Sequence, residues 1–223
     1  MIKLKNVFKI YEINQNEQVI ALQNINLSFN EGEVIVLKGS SGSGKSSILS
    51  LIASLSKPTT GEVIVDKKKI SKLPDNFASI YRRDNIGFIF QKYNLIPSLT
   101  VQENILLPLV PLNLEKLVAQ KKLIRVMNMF HIEHKKDTLV KNLSGGEQQR
   151  VAIARANVNN PKIIIADEPT ANLDEKLSLS FIEILKELKS ENKTIIIATH
   201  DPLFFNLKIV DREITISHGK ALL

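Results

Sequence analysis

Gly39-Ser40-Ser41-Gly42-Ser43-Gly44-Lys45-Ser46 stands between an apolar run, Val34-Ile35-Val36-Leu37, and a helix-patterned segment, Ile48-Leu49, Leu51-Ile52 and Leu55. A strand that feeds Gly-x-x-x-x-Gly-Lys-Ser and then a helix is the setting of a phosphate-binding loop. Glycines let the backbone wrap closely and turn several N–H groups toward phosphate oxygens. The following helix aims its positive end at the same anion. Lys45 supplies a point charge for β- and γ-phosphates, and the Ser46 hydroxyl is a ligand for Mg²⁺. A flexible Gly/Ser loop could match the pattern by chance, but chance would not supply the strand and the helix on its two sides. The loop therefore indicates a nucleoside triphosphate and leaves the use of its energy open.

Working outward, the continuous apolarity of 34–37 predicts a strand buried on both faces of a parallel sheet. Upstream, residues 2–10 read as an opening strand ended by Tyr11. Glu12 to Gln18 reads as a hairpin loop. Val19-Ile20-Ala21-Leu22 and Ile25-Asn26-Leu27-Ser28-Phe29 follow, the second with period-two alternation. Downstream, the helix after Lys45 is expected to end near Lys57-Pro58, where proline stops it. A strand over 61–66, a polar helix over 73–84 and a short strand over 86–90 lead to Gln91. From about Lys92 to Asn142 the pattern is helical. Thr100-Val101-Gln102-Glu103 is a capping box that starts a helix at Val101, and Pro108 and Pro111 break it. Further helices are expected over about 115–130 and from Ser144 through Arg155. The block between Gln91 and Pro161 reads as a helical insert in an α/β domain. Ile163-Ile164-Ile165-Ala166, a helix over 175–190, the strand 194–198 and a closing strand over 213–217 complete the chain.

Composition bounds the function classes. The 223 residues suit one domain, and with no cysteine there is no disulfide framework or thiolate chemistry. Met1-Ile2-Lys3-Leu4-Lys5 has no apolar signal core, and no apolar run nears the roughly 20 residues that span a bilayer. A cytosolic chain is expected, with any membrane work done through a partner. The net charge of +7 comes from scattered lysines without an aromatic-studded basic stripe, so no nucleic-acid partner is expected.

Two further stretches carry chemistry. Ile163 to Ala166 delivers Asp167-Glu168 to a strand's C-terminal end, the ligand edge of an open α/β sheet. One carboxylate there can bind Mg²⁺, assigned to Asp167. Its neighbour can activate water for attack on the γ-phosphate, assigned to Glu168. Leu143-Ser144-Gly145-Gly146-Glu147 holds a second capping box, Ser144 with Glu147, and two glycines that expose N–H groups at a helix's positive end. Locally this second stretch fits a plain helix cap equally well.

Leu143-Ser144-Gly145-Gly146-Glu147-Gln148-Gln149-Arg150 resembles the signature of ATP-binding cassette (ABC) ATPases, most of which carry Gln where this chain has Glu147. The resemblance covers essentially the whole chain, with every family element in order. It implies an α/β fold: a P-loop NTPase (RecA-like) core, an N-terminal antiparallel β subdomain and an inserted α-helical subdomain. The single domain 1–223 would divide into 1–91 with 161–223 as core and β subdomain, and 92–160 as the helical part. The resemblance further implies that Tyr11, with Val19, stacks on adenine, and that Gly39, Ser40, Ser41, Gly42, Ser43, Gly44, Lys45, Ser46 and Ser47 form the Walker A loop. Gln91 would touch Mg²⁺ and the attacking water and face the transporter. Asp167 and Glu168 would close Walker B. Ala171-Asn172-Leu173-Asp174 would be the D-loop, and His200 the switch histidine on the γ-phosphate. His131, His134 and His218 lack such context and read as surface residues. The implied reaction is ATP hydrolysis with Mg²⁺ in a head-to-tail homodimer. Each ATP would lie between one copy's Walker A loop and the other copy's Ser144, Gly145, Gly146 and Glu147. The partner would be an integral membrane permease, with this subunit peripheral at the cytoplasmic face of the inner (plasma) membrane.

Within the family, Ile86 to Gln91, Asn94 to Pro97, Thr100 to Ile105 and Leu107-Pro108-Leu109 resemble the lipoprotein-release and macrolide-exporter ATPases. Asn172 departs from their usual Gly. The cell-division ABC ATPase is the nearest alternative. A DNA-repair-like ABC ATPase would need a long coiled coil, and residues 46–143 hold no sustained heptads.

Overall fold

The computed structural model describes residues 2–14, 17–171 and 173–222. The hairpin tip at Gln15-Asn16 and the departure at Asn172 lie outside the described residues. In chain order the elements are β1 (Ile2–Asn14), β2 (Glu17–Phe29), β3 (Val34–Lys38), α1 (Lys45–Ile52), β4 (Thr60–Val65), β5 (Lys68–Lys69), α2 (Asp75–Asn85) and β6 (Ile86–Ile89). Then come α3 (Val101–Leu106), a 3-10 helix (Leu107–Leu112), α4 (Lys116–Met129), two short 3-10 turns and α5 (Gly145–Asn157). The chain closes with β7 (Ile163–Asp167), α6 (Glu175–Ser190), β8 (Thr194–Thr199), β9 (Arg212–Ser217) and β10 (Lys220–Leu222).

Among the described residues the strands form two sheets. One is antiparallel, in the order β2-β1-β4-β5; the other runs β10-β9-β3-β8-β7-β6, with β9, β3, β8, β7 and β6 parallel. The apolar strands of the second sheet are buried on both faces, as their composition predicts. Val34 and Val36 of β3, Ile164 and Ala166 of β7, and Ile195 and Ile197 of β8 face one core, shared with α3 to α6. Ile35, Leu37, Ile163, Ile165, Ile196 and Ala198 face the other, shared with α1 and the antiparallel sheet. Each such Val or Ile contributes about 1.5–3 kcal/mol by leaving water. The predicted alternation in β2 is present, with Ile25, Leu27 and Phe29 buried and Asn26 and Ser28 exposed.

Local expectations are corrected at two places. β1 does not stop at Tyr11 but runs on to Asn14, and β2 resumes at Glu17, because Tyr11 pairs with Val19 and Glu12 with Gln18 across the hairpin. Polar residues extend as strand here because the partner strand satisfies their backbone groups. α1 ends at Ile52, well before Lys57-Pro58. Ser54 turns into the left-handed region at φ 51°. Tyr81 Oη then donates to Ile52 O at 2.9 Å and Arg82 Nη1 to Ser54 O at 2.8 Å. Tyr81 thus takes the Ile52 carbonyl that further helix would have used, and Arg82 holds the turn that follows.

The helical block is joined closely to the sheet. A Cβ at Gly87 of β6 would lie 2.4 Å from Ala156 O of α5 and 2.7 Å from Ile164 Cδ1. Gly87→Ala is expected to lower stability by about 1–3 kcal/mol through overpacking. A urea midpoint equal to that of the parent chain would contradict this close approach.

Candidate functional site

β8 lies between β3 and β7, so the C-terminal ends of three strands distant in sequence come side by side. β3 leads into the Gly39–Ser46 loop, β7 ends at Asp167-Glu168, and β8 ends at Thr199-His200. A cavity of about 370 Å³ opens there, lined by Tyr11, Val19, Ile20, Ala21, residues 41–47, Gln91, Glu168 and His200. Tyr11 and Val19, opposite one another on β1 and β2, form an exposed apolar shelf at one side. Lys9 Nζ sits 4.6 Å from the Tyr11 ring centroid.

The loop's shape depends on glycine at specific points. Gly44 has φ 109°, and a Cβ there would lie 2.7 Å from Ala21 O. A Cβ on Gly39 would lie 2.2 Å from Ile216 O. Gly44 is also the N-cap of α1, whose first residue is Lys45. Lys45 is 4% exposed. Its Nζ donates to Gly39 O at 2.6 Å and Ser40 O at 3.0 Å, and stands 3.4 Å from Glu168 Oε1. Ser43 Oγ is buried without a hydrogen-bond partner among the described residues. A buried, unpartnered hydroxyl in a glycine-rich loop ahead of a helix N-terminus fits a ligand with acceptor oxygens.

Ser46 Oγ lies 3.0 Å from Asp167 Oδ1. Burial pushes the Asp167 carboxyl above its ordinary range, and the adjacent Glu168 charge adds to this; the Ser46 hydrogen bond and Lys45 act the other way. Glu168 has φ 44°, a conformation uncommon for a side-chain-bearing residue and characteristic of functional sites. Its N–H donates to Ala198 O at 2.8 Å. Thr199 Oγ1 donates to Glu168 Oε2 at 3.0 Å, the His200 N–H reaches the same oxygen at 3.3 Å, and His200 Nδ1 pairs with Oε1 at 2.9 Å. The fully buried Thr199 had no role assigned from sequence. Nothing in the sequence around it sets it apart, since Thr194 opens the same strand with the same side chain.

Ser144, Gly145, Gly146 and Glu147 do not line this cavity. They start α5, and both expected capping boxes are present, at Thr100/Glu103 and at Ser144/Glu147. Gly146 packs under α6, where a Cβ would meet Leu177 Cδ2 at 2.5 Å. Gly145 is exposed, and a Cβ there would meet nothing within 4 Å. Gln149 Nε2 donates to Pro169 O at 2.9 Å, tying α5 to the segment after Glu168. Asp174 caps α6, accepting from Leu177 N at 2.8 Å, and is exposed. His131, His134 and His218 are exposed.

A parallel sheet whose strand runs through a glycine-rich loop into a helix N-terminus, with carboxylates on the adjacent strand ends, defines a P-loop nucleotide-binding protein. Residues 22–171 match the family model described as ABC transporter. The ABC transporter ATP-binding protein MJ0796 of Methanocaldococcus jannaschii is 47% identical over 208 residues, covering 90% of this chain and 87% of that protein. The lipoprotein-releasing system ATP-binding protein LolD of Wigglesworthia glossinidia is 41% identical over 99% of this chain and 95% of its own length. The macrolide export ATP-binding/permease protein MacB of Campylobacter jejuni is 41% identical over 91% of this chain, which spans 31% of MacB. The dimeric structure of MJ0796 in a post-hydrolysis state bound to ADP and Pi matches with a TM-score of 0.91 at 42% identity, covering 100% of this chain and 97% of that one. The chain belongs to the ABC transporter family as an ATP-binding ATPase subunit. Its fold is the expected one: a P-loop core, an antiparallel β sheet at the N-terminus and an inserted helical block.

Proposed function

We propose that this chain hydrolyses ATP as a head-to-tail homodimer and drives a membrane permease of the lipoprotein-release or macrolide-export type. Gly145 carries the dimer reading. Gly146 needs to lack a side chain because of Leu177, but nothing among the described residues requires glycine at 145. A bare, exposed helix N-terminus lying off its own chain's nucleotide cavity suits a phosphate presented by a second copy. ATP would lie with adenine against Tyr11 and Val19 and its phosphates along Gly39 to Ser47. Lys45 would exchange the Gly39 and Ser40 carbonyls for phosphate oxygens. A second copy's Ser144, Gly145, Gly146 and Glu147 would close the site, with Asp174 at the junction.

Ser46 Oγ and Asp167 Oδ1 converge as hard oxygen donors, and Mg²⁺ favours one or two protein oxygens completed by water and phosphate. These residues fit the ion, and Gln91 lines the same cavity as Ser46. When bound, Mg²⁺ offsets charge on the transferring phosphoryl group. Glu168 then accepts the proton of the attacking water, while Thr199 and His200 keep its carboxylate aimed. No helix among the described residues is long and apolar enough to cross a membrane. As the ATP-binding partner of a permease, the subunit would sit peripherally at the cytoplasmic face, docked through the 92–160 helical part and Gln91. The overall similarity to LolD and MacB supports this branch.

Gly145→Asp tests the trans site. The carboxylate at a helix N-terminus is compatible with α5, so unfolding and the isolated chain's ATP affinity should match the parent. Turnover should fall by about 10²–10³. Loss of ATP affinity along with turnover, in nucleotide titrations of the monomer, would place the helix in its own chain's site and overturn the reading. Stimulation of ATPase activity by a co-expressed four-helix permease would support the branch, and stimulation by DNA would refute it.

A further inference from the structure

Glu147 introduces a charge where a glutamine could complete the same capping box without one. Its Oε2 accepts from Ser144 N at 2.8 Å and from Ser144 Oγ at 3.0 Å. Its second oxygen, Oε1, is held 3.0 Å from Lys135 Nζ. These contacts hold the carboxyl below the ordinary range, the Ser144 backbone hydrogen bond foremost and Lys135 next. Glu147 is therefore a fixed anion at the head of α5. Lys135 ends a short 3-10 turn, Glu133–Lys135. That turn is anchored by Ile132, 1% exposed, and by Thr138 N donating to Lys135 O at 2.8 Å. The lysine thus reaches α5 from a fixed point.

An unpaired carboxylate at this helix terminus would repel an incoming phosphate, whereas the Lys135–Glu147 pair is neutral. The pairing also orients the carboxylate so that Oε2 faces Ser144, leaving the Gly145 side of the terminus clear. We propose that Lys135 is a positioning residue for the composite ATP site, neutralising and fixing Glu147 so that α5 accepts the ATP phosphates bound by a second copy. This rests on the head-to-tail reading above.

The test uses the full chain in a Glu168→Gln background, where ATP-bound dimers accumulate, with dimer fraction followed against ATP concentration by light scattering. Lys135→Met should raise the ATP concentration for half-maximal dimerisation about tenfold, the effect of one uncompensated charge at intermediate dielectric. Monomer ATP affinity and thermal unfolding should stay at parent values. Lys135→Arg should behave like the parent, and Glu147→Gln added to Lys135→Met should recover the loss. A Lys135→Met chain that dimerises like its parent overturns the proposal. So does a double variant as defective as Lys135→Met alone, since packing and not charge would then be responsible. A Glu168→Gln parent that remains monomeric at saturating ATP refutes the head-to-tail reading itself, and the proposal with it.

Discussion

Glu168→Gln is expected to lower kcat for ATP hydrolysis by about 10²–10⁴, the usual contribution of a positioned general base, while ATP still binds. The amide is nearly the shape of the carboxylate, so it can keep the Thr199 and His200 contacts now made by Glu168. It cannot take a proton from water. In the proposed head-to-tail dimer turnover releases the ATP-bound form, so dimers should accumulate, since whatever binds only the associated form stabilises it by mass action. Single-turnover hydrolysis with size-exclusion chromatography in ATP reads both effects. Undiminished turnover would refute the base assignment.

The second large effect is expected at Lys45. Lys45→Ala should weaken ATP binding by roughly 30-fold or more, since truncating one member of a buried charged contact costs about 2–5 kcal/mol. Two losses add. The phosphates lose their buried cation. The carbonyls of Gly39 and Ser40 and the carboxylate of Glu168 lose their shared donor as well. The loop is then held less firmly before any ligand arrives. Calorimetric titration with ATP measures the change, and an unaltered Kd would contradict the phosphate-loop reading.

How much of this could be read in advance depended on how local each cause was. The phosphate loop, the paired carboxylates after β7 and the two capping boxes were legible because a few consecutive residues determine them. Strand identity in β3, β7 and β8 was legible because burial on both faces leaves unbroken apolar runs. The end of α1 was misplaced because Tyr81, far along the chain, takes the carbonyl of its last residue, Ile52. The arms of the β1–β2 hairpin were drawn too short because cross-strand pairing, not propensity, extends them. Thr199 and Lys135 gave no local sign of their tasks. Each acts on a partner distant in sequence, and only the assembled fold brings the two together.

α5 has a mechanical consequence. Its first turn carries Ser144 to Glu147, and its last turn carries Arg155, which donates to Asn94 O at 2.7 Å and also to Tyr93 O. Ala156, beside it, presses on Gly87 of the strand that delivers Gln91. With 13 residues, the helix is a strut about 20 Å long, pinned at one end to the loop following Gln91. A load applied at Ser144 cannot be absorbed by bending within so short a rod. It must reappear at residues 91–94 as a displacement, so the stiffness of one helix sets how faithfully an event at the proposed dimer seam would reach the loop after Gln91.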